Sequence, residues 1–367
     1  MKILAFISFA LCLSPVLMAQ QVPELQYARA QNYKLLGQGV AVTIQGDTSD
    51  RVPGMAYARL PLASRSRFRP ELWSLGMNSA GLSVRFCSNS PVIGVRWEPL
   101  NQFAMNHMSA TGVRGLDLYI LDGKEWRYAG SAQPQNKAAC RAVIISGMDT
   151  LFREYMLNLP LYDGLKSLEI GIEQGADISM PQIDLPRTDR PIVFYGTSIT
   201  QGGCASRPGM AYPAIIGRKL QRQTINLGFS GNARMDASVG ELLISIDAGI
   251  YFIDCLANCT ADLVRARGYS FIKALLDAKP EIPVIMVSHQ LEPKARFSRP
   301  LENNLKEINR LWEEIYQRLL AEGYNQLRFV PADNLTGHDG ESTVDGAHLT
   351  DLGFLRIAEE LIRYCNQ

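Results

Sequence analysis

The chain has 367 residues, 47% of them apolar and 20% charged, enough for two packed domains. Its 37 Lys and Arg balance 36 Asp and Glu, for a formal net charge of +1. That balance, with no long basic run, excludes the electrostatic footprint of a nucleic-acid binder and suits a neutral or short polar ligand.

The N-terminus reads as an export signal. Lys2 supplies one positive charge, Ile3 to Met18 is almost unbroken apolar sequence, and Ala19 is a small residue suited to cleavage. Competing readings are a buried helix and a retained anchor. The run is at or below the roughly 17 to 25 residues that a spanning helix needs, and Ser8, Ser14 and Pro15 interrupt it. Stable membrane insertion is therefore not expected. Cys12 follows Leu11, where a lipidation signal would place a small residue, so cleavage of 1–19 and a periplasmic or secreted product is the expectation. Beyond it remain Cys87, Cys140, Cys204, Cys255, Cys259 and Cys365. Disulfides are allowed in that compartment, not required. Cys255 and Cys259 have no CxxC partner elsewhere, which argues against a zinc site.

From residue 22 to 180 the sequence predicts an all-β domain. Leu82–Phe86 alternates apolar and polar residues, and Val92–Trp97 is β-branched. Leu116–Leu121 and Trp126–Tyr128 flank Asp122-Gly123, a hairpin signal. Arg141–Ile145 and Ser167–Ile172 continue the pattern. Short strands between turns predict a β-sandwich of jelly-roll type. Residues 181–191, rich in Pro and charge, read as an extended linker.

From 192 to 367 strands and helices alternate. Strands are predicted at Ile192–Tyr195, Thr224–Leu227, Gly249–Ile253, Pro283–Ser288 and Leu327–Val330. Helices are predicted at Tyr212–Leu220 and Phe271–Ala278, along the stripe Leu301, Leu305, Ile308, Leu311, Ile315 and Leu319, and after Leu352. The alternation implies a doubly wound α/β domain with a parallel sheet, whose active site lies at the carboxyl ends of the strands.

Three strand ends carry candidate chemistry. Ser198, two residues past the first strand, is placed to be an exposed nucleophile whose own N–H helps hold an oxyanion. It could instead cap the following turn. A phosphate loop is disfavoured, because neither GxxxxGK[ST] nor GxGxxG is present. Gly228 and Asn258, past the second and third strands, could add two oxyanion donors, or could be turn residues. Near the C-terminus, Asp345 precedes His348 by one turn, so its carboxylate can orient that imidazole. Alone the pair could be a helix cap and a packed histidine. After an exposed Ser it reads as the rest of a triad.

Ser198, Gly228, Asn258 and His348, in that order and each past a strand, resemble the four residues that name the SGNH (GDSL-like) hydrolases. The resemblance covers about 191 to 365. Gly196–Gly203 and Asp345–Phe354 are similar to the subgroup that carries an N-terminal GxDLY domain, and Gly115-Leu116-Asp117-Leu118-Tyr119 supplies that motif. Thr197 stands where the family name has Asp. Leu349 follows the His where Pro is frequent, and Leu256-Ala257-Asn258 replaces Gly-x-Asn-Asp. The resemblance implies an SGNH-type α/β hydrolase domain after an all-β domain, and serine ester hydrolysis through an acyl-enzyme, with no metal or organic cofactor. By analogy the substrate is a small acylated molecule, an acetylated sugar foremost.

His107, just before the GxDLY motif, and His289, past the fourth strand, are candidate substrate contacts, though either could simply be packed. His338 reads as a loop residue and Asp254 as a turn residue. Cys204, Cys255 and Cys259 could pair near the site or stay free. Two other functions compete with a carbohydrate acetylesterase: a lipid or thioester acylhydrolase, and a glycan-binding protein with a vestigial hydrolase domain. The short, polar look of Gln201–Arg207 favours a small acyl group.

Overall fold

The computed structural model describes residues 24–38, 52 and 54–365, so the export signal read over 1–19 lies outside the described residues. The N-terminal half holds β1 (Leu25–Arg29), β2 (Lys34–Leu36), β3 (Ser83–Ser88), β4 (Ile93–Pro99), β5 (Leu116–Asp122), β6 (Glu125–Ala132), β7 (Cys140–Ile145), β8 (Arg153–Asn158), β9 (Leu165–Glu173) and β10 (Ile178–Ser179). They form two antiparallel sheets. One runs β1-β9-β4-β7, and the other runs β10-β3-β8-β5-β6 with β2 added on β3. Val84 and Phe86 of β3, Leu116 and Leu118 of β5, and Tyr155 and Leu157 of β8 meet Val95 and Trp97 of β4 and Ile170 and Ile172 of β9 in one core. Each set repeats every second residue, which is what a two-sheet sandwich demands.

The C-terminal half holds β11 (Arg187–Gly196), β12 (Arg222–Gly228), β13 (Ile250–Asp254), β14 (Val284–Val287) and β15 (Leu327–Val330). They form one parallel sheet in the order β12-β11-β13-β14-β15. Alternate residues again face opposite ways. Val193, Tyr195, Tyr251, Ile253, Val284 and Met286 pack under the helices Ala237–Ser245, Tyr269–Ala278 and Arg299–Ala321. Ile192, Phe194, Ile250, Phe252, Ile285 and Val287 pack under Tyr212–Leu220 and Asp351–Ile362. Both faces are covered, which is why these strands read as continuous apolar runs. The order reverses around β11, so the crevice at the ends of β11 and β13 is the expected ligand position. No helix among the described residues is long and apolar enough to cross a membrane. Strand β11 already begins at Arg187, which pairs with Arg222 inside the stretch read as linker.

The two halves share their cores. Leu60, Phe68 and Leu72 join one face of the parallel sheet, and Met108, Val113, Leu161 and Tyr162 join the other. Arg59 is buried and donates to the carbonyls of Asn226 (3.0 Å) and Gly228 at the end of β12 (2.6 Å), and to those of Leu75 and Asn78 in its own half. Burial pushes its guanidinium down to about 9, and this set of carbonyl acceptors helps to make such a cation tolerable.

The Asp and Tyr of GxDLY make a second buried set of bonds between the halves. Asp117 is fully buried. It accepts from Arg207 (2.6 Å) and from the Gly209 N–H (2.9 Å), both in the turn after Ser198, while Asn158 donates to its other oxygen at 2.8 Å. Arg207 also donates to the Tyr119 hydroxyl at 2.6 Å. Asp117→Ala leaves Arg207 without its buried partner, a loss on the order of 3 to 5 kcal/mol. Urea denaturation is expected to show that drop. An unchanged midpoint would mean that the pair holds nothing together.

Candidate active site

Strand β11 ends at Gly196, and the chain turns at once into a one-turn helix, Ser198–Gln201. Thr197 caps it, its hydroxyl accepting from the Ile199 N–H at 3.2 Å. A hydroxyl does here the capping that a carboxylate could do, so Thr at 197 costs the turn nothing. The Ser198 N–H lies in the first turn, outside the Thr197 cap, and bonds to nothing among the described residues. Gln201 ties the other end of the turn down. Its amide donates to Asn78 and to the Leu161 carbonyl across the domain junction and accepts from the Ser230 N–H at 3.1 Å.

The second loop is Asp345–His348. Asp345 Oδ1 accepts from the N–H groups of Ala347 (3.0 Å) and His348 (2.8 Å), closing a turn in which Gly346 takes φ +92°, a region favourable to glycine. Leu349 is fully buried in the core under the sheet and anchors this loop. The loop brings His348 to Ser198. His348 Nε2 lies 2.9 Å from Ser198 Oγ, and His348 Nδ1 lies 2.8 Å from Asp345 Oδ2. A carboxylate can only accept, so Nδ1 carries the proton and Nε2 is free to take one from Ser198. Hydroxyl, imidazole and carboxylate, predicted to meet at this rim, do meet there.

The oxyanion donors need one correction. The Gly228 N–H is already given to Asn226 Oδ1 at 2.9 Å, so it has no proton left for an oxyanion. Gly228 is glycine because a Cβ would run into the backbone of Gln201. The loop it begins holds an uncommitted N–H, that of Gly231, which bonds to nothing among the described residues. The sequence did carry a signal, since Gly231 lies in the same Gly-Phe-Ser-Gly-Asn run. Asn258 Oδ1 accepts from the Ala233 N–H at 3.2 Å. An N–H can only meet the amide oxygen, so the Asn258 NH₂ points away from that bond and keeps both protons.

Comparison with known proteins places the chain. The GDSL-like Lipase/Acylhydrolase family matches residues 189–366, and the GxDLY family, the N-terminus of an SGNH-hydrolase-type esterase, matches 35–178. The crystal structure of a GDSL-like lipase from Bacteroides ovatus shares 34% identity over 92% of this chain and 96% of that one, with a TM-score of 0.85. The chain belongs to the GDSL-like (SGNH) hydrolases. At lower identity the fold alone is shared. A salicylyl-acyltransferase of a tetracycline biosynthetic pathway superposes with a TM-score of 0.71 at 15% identity, covering 92% of this chain and 96% of that one. An acetyl xylan esterase from Butyrivibrio proteoclasticus gives 0.53 at 13% identity, covering 93% and 97%. No curated protein sequence matches the chain.

In this GDSL-like hydrolase the remaining candidates separate. His107 reaches the site: its ring lies 5.4 Å from that of His348, tilted by 55°. His289 does not line the cleft. It is buried, its Nδ1–H is spent on the Gln290 carbonyl at 2.7 Å, and desolvation lowers its pKa. It braces the fold, and Gln290 beside it donates to the Ala347 carbonyl in the triad loop at 2.8 Å. All six described cysteines are free thiols in this structure. Within Gln201–Arg207, expected to be a polar loop, residues 201–205 are buried, and Ser206 is exposed.

An open cleft of about 640 Å³ runs along the domain junction, with Asn78, Asn101, Phe103 and Tyr162 from the β-domain facing Ser230 and Asn232. Tyr162 links it to Ser198, its hydroxyl donating to the Ser198 carbonyl at 3.3 Å. Asp163, fully buried, pins the loop that carries Phe103 by accepting from the N–H groups of Asn101 (3.0 Å) and Phe103 (3.1 Å).

Two carboxyls near Ser198 are shifted in opposite directions. Partial burial would raise Asp345, but hydrogen bonds from the His348 ring and from the His348 and Ala347 N–H groups outweigh it and hold the carboxyl well below the usual range. Asp254, read as a turn residue, lies beneath the nucleophile helix instead and accepts from Thr200 (3.1 Å) and Tyr212 (2.9 Å). Burial pushes it up to about 7. A raised carboxyl binds its proton more tightly in the folded state. The stability it confers is complete below its unfolded value of about 4 and is lost as the pH rises through 7. Asp254→Asn should therefore gain in Tm relative to wild type as the pH is raised from about 5 to about 8. A Tm gap independent of pH would show that this carboxyl does not titrate there.

Proposed function

We propose that this GDSL-like hydrolase is an exported serine esterase that removes short acyl groups, acetyl foremost, from carbohydrate hydroxyls. The observation that carries the reading is the unbroken relay from Ser198 Oγ through His348 to Asp345, with contacts of 2.9 and 2.8 Å. Ser198 Oγ attacks the ester carbonyl carbon while His348 Nε2 takes the hydroxyl proton. Asp345, held ionised, supports the imidazolium. The oxyanion is held by the Ser198 N–H, the Gly231 N–H and the Asn258 amide. Collapse expels the sugar hydroxyl with the proton from His348 and leaves an acyl group on Ser198. Water, activated by the same imidazole, then releases the acid. No metal or organic cofactor enters these steps.

The cleft supports the choice of substrate. Amides from Asn78, Asn101 and Asn232, the Glu71 carboxylate and the aromatic faces of Phe103 and Tyr162 give the cleft a hydrogen-bonding lining suited to a sugar. The name of the distant acetyl xylan esterase points the same way. Export rests on the apolar run Ile3–Met18. A lipid or thioester acylhydrolase is the second reading, favoured by Leu75, Phe103 and Met105 along the same cleft. A vestigial, glycan-binding domain has no need of an intact relay.

Ser198→Ala and His348→Ala are expected to lower turnover on p-nitrophenyl acetate by on the order of 10⁴- to 10⁶-fold with the fold intact by circular dichroism. Asn258→Ala should lower kcat by on the order of 10² to 10³ with little change in KM. Across an acyl series, turnover should fall from acetyl to octanoyl, and acetylated glycans should release acetate. A rise toward octanoyl would move the reading to the acylhydrolase. No turnover on any ester would remove it.

A further inference from the structure

Three soft donor groups meet at the domain junction. His107 comes from the β-domain, Cys204 from the turn after the nucleophile helix, and His348 from the triad loop. One nitrogen of each ring and the thiol sulfur all lie within 4.8 Å of one another. Each imidazole has its Nδ1 facing an oxygen: Asp345 Oδ2 at 2.8 Å for His348, and Asn106 Oδ1 at 3.0 Å for His107. In the neutral ring that arrangement puts the proton on Nδ1 and leaves the lone pair on Nε2. It is also the outer shell that orients histidine ligands in metal centres. Cys204 is buried beside them and holds φ +73°, uncommon for a residue with a side chain.

We propose that His107, Cys204 and His348 bind a thiophilic ion such as Zn²⁺, and that its binding switches the esterase off. Two imidazole nitrogens and one thiolate are a familiar zinc donor set, and the fourth position of a tetrahedron would be open to solvent or to Ser198 Oγ. Bond lengths near 2.0 to 2.3 Å place such donors roughly 3.3 to 3.8 Å apart, so side-chain rotations closing the cluster by about 1 Å suffice. Binding exchanges the Cys204 thiol proton for the ion and releases that proton to solvent. Inhibition follows from electron count: the Nε2 lone pair that would bind the ion is the one that takes the proton from Ser198. The ion is an inhibitor here, with no part in the ester chemistry. Because His107 belongs to the β-domain, the site is complete only when the two domains are docked.

The test uses mature protein freed of metal with EDTA. Zn²⁺ should abolish p-nitrophenyl acetate turnover, and EDTA should restore it. Cys204→Ala and His107→Ala, each referred to its own turnover in EDTA, should need at least about tenfold more Zn²⁺ for half-inhibition. Binding is read separately on the inactive Ser198→Ala protein titrated with Co²⁺. One equivalent should give a thiolate-to-cobalt absorption band in the near ultraviolet, and the Ser198→Ala/Cys204→Ala double variant should lack it. This second readout stands whether or not the chain hydrolyses esters. Equal Zn²⁺ sensitivity in wild type and both variants would mean that His348 alone meets the ion, and would overturn the proposal. So would a Co²⁺ titration without a thiolate band.

Discussion

A carboxylate without solvent must be given partners, and Asp117 finds its chief partner in the other half of the chain. Arg207 and the Gly209 N–H, both just past the nucleophile helix, satisfy it. That need fixes where the sandwich sits against the parallel sheet. Once it is seated, Ser109 donates to the Ser206 carbonyl at 2.5 Å, and Ser206 in turn donates to Asp351 at the start of the last helix. The turn bearing Cys204 is thereby pressed between the halves, and His107 is set over His348. The GxDLY motif, remote from any reacting atom, thus determines what surrounds the triad.

Much of this was legible from sequence because hydrophobic period and chain order carry it. The strand at Leu327–Val330 and the helix at Tyr212–Leu220 fall where the pattern puts them. Ser198, Asp345 and His348 could be named because each closes a strand or opens a turn at one sheet edge. Strand β8 escaped for a physical reason. Glu154 and Asn158, buried and satisfied by Arg85 and Asp117, share their face with the apolar Met156, so the run Tyr155-Met156-Leu157 breaks the alternation that marks a strand. Arg59 escaped likewise, since nothing in a sequence says that an arginine will be drawn into a core by carbonyls far along the chain.

The oxyanion loop shows the limit of reasoning from position. Gly228 stands just past a strand, where a donor is wanted, but its proton is committed to Asn226 and its missing side chain serves a close approach to Gln201. Strand ends locate the site. Which amide in the loop is left free depends on hydrogen bonds that form only when the loop is folded. The departures at 197 and 349 tell the complementary story. Thr197 still caps its turn, and Leu349 still anchors its loop in the core, so a changed residue keeps the same mechanical duty.

The clasp of Asp163 on the Asn101 and Phe103 amides has an evolutionary corollary. Because the loop is gripped by its main chain, exchanging Phe103 or Met105 for other side chains leaves its path in place. The rim of the cleft can then diversify one residue at a time while the proton relay, housed on separate loops, is left undisturbed. Related chains can acquire new substrate preferences this way, with selection acting on the sandwich and sparing the relay.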